Sequence, residues 1–167
     1  MMAADAKRAQ WPDDVFFGLH YDLHARDTDT ELGAELTHEH LRERLERVQP
    51  DWVMCDCKGH PGYTSYPTTV GSPSPGIVRD ALQIHADVAE EMGIPLSVHY
   101  SGVLDTRAIE LHPEWAARSP EGDVVGRGGD ARDVTCRLSE YVDELLIPQI
   151  IEVIDRYGAD GVWVDGD

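Results

Sequence analysis

Tyr157-Gly158-Ala159-Asp160-Gly161-Val162-Trp163-Val164-Asp165-Gly166-Asp167 is the stretch whose reading decides the fold. Gly158 reads as a helix stop, Val162 to Val164 as the body of a buried parallel strand, and Asp165 as an acid at the strand's C-terminal tip. Parallel α/β folds gather their chemistry at such tips.

Working outward, the same apolar-then-polar run occurs three more times, in Val15–Leu23, Asp51–Lys58 and Ile94–Ser101. Helical patterns lie between the runs. Thr37 can cap a helix through Leu41, Leu45 and Val48 that Pro50 ends. Ser74-Pro75 supplies an N-cap and first-turn proline for a second helix through Ile77, Ala81, Ile84, Val88 and Met92, with Gly93 as its stop. Ser139 caps a third, whose Val142, Leu145, Leu146, Ile150, Val153 and Ile154 form an apolar stripe, and Pro148 should kink it or join two segments.

The order β-α-β-α-β-α-β leaves two closures, an open doubly wound sheet or part of a barrel. Long inserts follow the second and third strands. Gly59–Gly76 holds four prolines and four glycines, and Val103–Arg137 contains a short helical turn at His112-Pro113-Glu114-Trp115. Barrel enzymes elaborate such loops over the mouth, which favours the barrel. The expected fold is α/β, a parallel sheet forming the first four βα units of a TIM (β/α)8 barrel and truncated after the fourth strand. Residues 1–14 read as a flexible leader and residues 15–167 as the N-terminal half of the catalytic domain. Such a half leaves open sheet edges, so a homo-oligomer or pairing with the missing half is expected.

A net charge of -18, from 32 acidic against 14 basic residues, gives no basic surface for nucleic acid and disfavours anionic substrates. A neutral small molecule or oligosaccharide is the simplest substrate. Cys55, Cys57 and Cys136 are too few for a disulfide scaffold, and no apolar run reaches membrane-spanning length. Without a visible export signal the cytoplasm is the default location.

If the strands are parallel, their polar tips converge on one rim. These tips are His20 and Asp22, Asp56 and Lys58, His99 and Ser101, and Asp165. Cleavage of a glycosidic bond needs two carboxylates, one ionised and one able to donate a proton, and Asp165 is the candidate for the ionised one. Its alternative role is a turn with Gly166. Asp167 is a second carboxylate candidate. His20, Asp22 and His24 alternate on one face of an extended chain and suit either zinc or sugar hydroxyls. Lys58 could order Asp56 or bind a substrate oxygen, and His60, His99 and Tyr100 sit at strand tips or just beyond. Trp115 and Trp163 offer flat faces for sugar stacking, with core packing as the competing use. Cys55-Asp56-Cys57 lacks the second ligand pair of a structural zinc site, Ser97 and Ser139 lack a nucleophile-elbow context, and Gly126-Arg127-Gly128-Gly129 follows no strand. No cofactor is called for.

The tail through Asp165-Gly166 resembles the fourth-strand segment of α-L-fucosidase-like glycoside hydrolases, a Y-G-P-D-x-x-W-x-D-G run that carries their nucleophilic aspartate. Gly18-Leu19-His20-Tyr21 is similar to their G-x-H-W run, whose histidine contacts the sugar, and Gly93–Ser101 to a segment ending in Y-Y-S. The chain resembles still more an uncharacterised group of related glycoside hydrolase-like proteins, with a loop like His112-Pro113-Glu114-Trp115 before a helix opening like Cys136–Tyr141. The resemblance implies a nucleophile role for Asp165, substrate contact by His20, and a general acid from beyond this chain. It also marks departures: Tyr21 stands for tryptophan, Cys57-Lys58-Gly59-His60 for paired histidines, and His99 for tyrosine. A retaining glycoside hydrolase is therefore the leading expectation. The alternatives are a metal-dependent hydrolase of amidohydrolase type using His20, Asp22 and His24, and a non-catalytic carbohydrate-binding or scaffold module.

Overall fold

The computed structural model describes residues 15–126 and 134–166. The leader (residues 1–14), Arg127-Gly128-Gly129 and Asp167 lie outside the described residues. Four apolar-then-polar runs form parallel strands, β1 (Gly18–Tyr21), β2 (Trp52–Lys58), β5 (Leu96–Ser101) and β6 (Gly161–Asp165). They lie side by side in chain order, β1 on β2, β2 on β5 and β5 on β6. A doubly wound sheet would reverse that order at a switch point. No reversal occurs among the described residues, so the architecture is a mixed α/β fold with a partial, unclosed, barrel-like sheet.

The helices follow from their caps and apolar spacing. Thr37 Oγ1 accepts from the His40 amide at 3.2 Å to open α1 (His38–Val48), which Gln49 closes in the left-handed conformation at φ 54°. Leu41 and Leu45, one turn apart, are fully buried, each contributing about 1.5–3 kcal/mol of burial free energy. They pack with α2 (Ala81–Met92) and α4 (Ile147–Tyr157) onto one face of the sheet, where Val53, Cys55, Leu96, Val98 and Tyr100 meet them.

Three segments depart from the sequence reading. The second helix begins at Ala81 behind an Asp80 cap, because Ser74–Val78 lies along an earlier loop. Ser74 Oγ donates to the Arg26 carbonyl at 2.6 Å, Ile77 bridges Leu32, and the Val78 amide donates to the Leu32 carbonyl at 3.1 Å. Within Gly59–Gly76, two-residue strands β3 (Tyr63–Thr64) and β4 (Ser72–Pro73) extend the sheet beside the end of β2. Within Val103–Arg137, Asp105 caps a further helix, α3 (Thr106–Leu111), accepting from the Ala108 amide at 2.8 Å, and Pro113–Trp115 forms the expected short turn as a 3-10 helix.

Pro148 does mark a join. A π-helical turn, Val142–Leu146, runs directly into α4, and the proline sits in the first turn of the regular segment, where its missing donor costs least. Glu152 on α4 then fixes the long loop. One carboxylate oxygen accepts from Tyr66 Oη (3.0 Å) and Thr68 Oγ1 (2.5 Å), the other from the Thr69 amide and hydroxyl (2.7 Å each). No helix among the described residues is long and apolar enough to cross a membrane.

Candidate active site

Strand register decides which side chains meet. His20 aligns with Met54, Asp56 with His99, His99 with Trp163, and Ser101 with Asp165. Because side chains alternate along a strand, His20, Asp56, His99, Trp163 and Asp165 share the face opposite the helices.

Asp56 is the centre of this face. Its side chain is fully buried, and Oδ1 accepts from His20 Nε2 at 2.6 Å while lying 2.8 Å from His99 Nδ1. Oδ2 accepts from the Leu23 amide at 3.1 Å and stands 3.5 Å from His24 Nε2. Burial alone would raise the carboxyl's pKa. The neighbouring His99 and His20 outweigh burial and hold Asp56 at about 2. His99 Nδ1 lies near Oδ1 without a well-directed hydrogen bond. The other ring nitrogen, Nε2, lies 3.7 Å from Asp165 Oδ2. Asp56 raises the basicity of His99, burial partly opposes this, and Asp165 adds to the rise.

The face is half open. The His20 side chain is 37% exposed and that of Asp165 is 48% exposed, whereas His99 retains 8%. The Trp163 ring is largely exposed beside them. His60 continues the polar rim, donating from Nδ1 to Ser101 Oγ at 2.9 Å, because that hydroxyl gives its own proton to the Leu104 carbonyl at 2.7 Å. The His24 and His60 rings meet edge to face at 4.9 Å and border an open cleft of about 330 Å³ with Arg26, Tyr63 and Glu110.

Other sequence candidates lie elsewhere. Lys58 does not reach Asp56. A bulge between Asp56 and Lys58 aligns Lys58 with Tyr100, and Nζ is buried against Asp105 Oδ2 (2.5 Å) and Tyr141 Oη (2.7 Å). Tyr100 is in the core, its hydroxyl 2.8 Å from that of Tyr66. Trp115 is buried, stacked on His112 at 3.9 Å, and offers no free face at the rim. A cavity of about 230 Å³ beside Trp115, Arg107 and Glu144 is lined by none of the polar-face residues.

The His20–Asp22–His24 alternation also fails, because β1 ends at Tyr21 and the chain turns away. Asp22 is exposed, 3.5 Å from His24 Nε2. Two trios form instead, His20–Asp56–His99 and Asp22–His24–Asp56, each with ligand atoms within 4.8 Å of one another, and Asp56 belongs to both. The sequence pattern marks Asp56 as a strand tip without singling it out as a site residue. Its position between Cys55 and Cys57 masked the signal, which was the alignment of the β2 and β5 tips.

The family model for hypothetical glycosyl hydrolase 6 matches residues 37–166. The chain belongs to this family. Among solved structures, α-L-fucosidase isoenzyme 2 from Paenibacillus thiaminolyticus is similar with a TM-score of 0.78 and 21% identity, over 91% of this chain and 23% of that one. A hypothetical protein from Ruminiclostridium thermocellum ATCC 27405 follows at 0.63 and 16%, over 77% and 68%. The Thermotoga maritima α-fucosidase in complex with fucose gives 0.55 and 22%, over 79% and 29%. At these identities the likeness is one of fold. No curated protein matches. This member of the hypothetical glycosyl hydrolase 6 family is thus a small glycosidase-like domain that resembles the α-L-fucosidase barrels, covers part of such a barrel, and spans about a quarter of the length of the fucosidases.

Proposed function

We propose that residues 15–167 are the N-terminal half of the (β/α)8 catalytic domain of a retaining glycoside hydrolase acting on a neutral saccharide, with Asp165 as nucleophile. The observation that carries this reading is the convergence of His20, Asp56, His99, Trp163 and Asp165 on one open face of one parallel sheet, in a chain of a glycosyl hydrolase family. Retaining hydrolysis needs an ionised carboxylate within reach of the anomeric carbon and a second carboxyl about 5–5.5 Å away that donates a proton. Asp165 is accessible, and its Oδ2 lies 3.7 Å from His99 Nε2. The exposed Trp163 ring presents a flat apolar face for a sugar, and His20 offers an imidazole to its hydroxyls.

Asp56 does not serve as the acid. It is buried and ionised down to about pH 2, so it has no proton to give at neutral pH. The general acid comes from outside this chain, on a later strand of the completed barrel. His60, and the exposed Asp22 through its neighbour His24, belong to the rim where a leaving group would rest, and Asp167 stands two residues after Asp165 in sequence. Exposed Val164 on β6, and the exposed stripe Ile147, Ile151 and Ile154 on α4, support a companion half packing on this side.

The test is Asp165→Gly in the full-length protein assayed on aryl glycosides. Turnover should fall by roughly 10³-fold or more, and azide should restore it by forming a glycosyl azide of inverted configuration. Undiminished hydrolysis would remove Asp165 from the mechanism.

A further inference from the structure

We propose that the His20–Asp56–His99 trio is a binding site for a divalent cation of the Zn²⁺ class, with His20 Nε2, Asp56 Oδ1 and His99 Nδ1 as ligands. The donor set is the first reason. Two imidazole nitrogens and one carboxylate oxygen suit a borderline divalent ion, and three protein ligands with an open position are the usual complement of a reactive zinc site. Bonds of about 2.0–2.2 Å to such an ion place ligand atoms roughly 3.3 Å apart. The three atoms already lie within 4.8 Å of one another, and the nitrogens are 2.6 and 2.8 Å from Oδ1. Small side-chain rotations on strands fixed by register would admit the ion.

The second reason is His99 itself. Its side chain is more than nine-tenths buried, and Nδ1 points into the trio without a directed hydrogen bond. In the Nε2–H tautomer the Nδ1 lone pair faces the Asp56 carboxylate 2.8 Å away, which is costly unless something else takes that lone pair. An ion between the three residues would do so. The opposite ring nitrogen, Nε2, would then carry the proton and face Asp165 at 3.7 Å. A ligating histidine whose second N–H faces a carboxylate is the ordinary outer arrangement of a metal site. His20 is the exposed ligand, so the fourth position opens toward the face carrying Trp163 and Asp165, where water or a sugar hydroxyl can complete the shell. The chain's net charge of -18 raises the local concentration of cations.

The inference stands whether or not the protein cleaves glycosides. The full-length protein is stripped with chelator, titrated with Zn²⁺ by calorimetry, and loaded with Co²⁺ for visible spectroscopy. One equivalent of either ion should bind, with d–d bands of a four- or five-coordinate nitrogen and oxygen site and no sulfur-to-cobalt charge transfer. His20→Ala, at an exposed position that should leave folding intact by circular dichroism, should weaken binding at least 100-fold, and His99→Ala should abolish it. Asp22→Asn with His24→Ala should leave it within a few-fold. The proposal is overturned if the wild-type protein binds neither ion, if His20→Ala binds as well as wild type, if the spectrum shows thiolate ligation, or if only the Asp22 and His24 substitutions remove the ion.

Discussion

Asp56 and Lys58 stand two residues apart on one strand, both nearly or fully buried, and their surroundings differ completely. Lys58 is closed in: its ammonium meets Asp105 and Tyr141, and Tyr141 Oη also donates to Asp105 Oδ2 at 3.1 Å. Asp56 is closed on one side only, because its partner His20 and, beyond His99, Asp165 reach solvent. The bulge between the two residues sends one charge to the helices and the other to the open face. Burial of charge therefore means two things within one turn of sequence. A pair whose every partner is internal holds the fold together, whereas a buried charge with exposed partners leaves room for a ligand.

The largest expected effect breaks the closed side. Lys58→Met leaves the Asp105 carboxylate buried without its cation, and stability should fall by about 3–5 kcal/mol in urea unfolding. The double variant Lys58→Met with Asp105→Leu, which removes both charges, should recover part of that loss, though Asp105 also caps α3. A double variant no better than Lys58→Met would show that the cap, and not the unpaired charge, dominates.

Glu152 sharpens the comparison, since it is a second anion bonded mostly from inside, with half-exposed Arg156 (3.1 Å) as its outward partner. Burial alone would raise its pKa, but the hydrogen bonds from Thr68, Thr69 and Tyr66 prevail and hold it at about 2, below its ordinary 4.5. A carboxyl depressed by folding stabilises the protein above its unfolded pKa, and that stability is lost as pH falls from about 4.5 to about 2. The contribution is on the order of 2–3 kcal/mol. Glu152→Gln should lose it at neutral pH and flatten the acid limb of a plot of unfolding free energy against pH. An unchanged slope would place the acid sensitivity in other carboxylates.

How far the molecule was legible in its sequence follows the same division. The four parallel strands and their order could be read because each run enters apolar and leaves polar, and helix caps at Thr37, Gly93 and Gly158 depend on local chemistry alone. The start of α2 could not, because Ser74-Pro75 carries a valid cap signal that contacts with Arg26 and Leu32 override. The tips His20, His99 and Asp165 could be grouped by strand parity. The bulge broke parity at Lys58, since one extra residue moves a side chain to the other face without leaving a mark in composition. Residue type alone puts Trp115 and Tyr100 at the rim, and an aromatic ring carries no record of whether it stacks on sugar or on His112.

The smallest expected effect on stability tests the open side. His20→Ala removes the exposed partner of Asp56, and the carboxylate keeps the Leu23 amide and its neighbours His99 and His24. The vacated space adjoins solvent, so water can replace the lost N–H, and the cost should stay near or below about 1 kcal/mol in thermal or urea unfolding. Asp56→Asn should cost more, about 1–3 kcal/mol, since it removes the charge that both imidazoles face inside the protein. If the division between closed and open clusters holds, His20→Ala will affect ligand or substrate binding far more than folding, while Lys58→Met will do the reverse. A His20→Ala variant as unstable as Lys58→Met would mean that the His20–Asp56 contact is a structural pair like the one beside it.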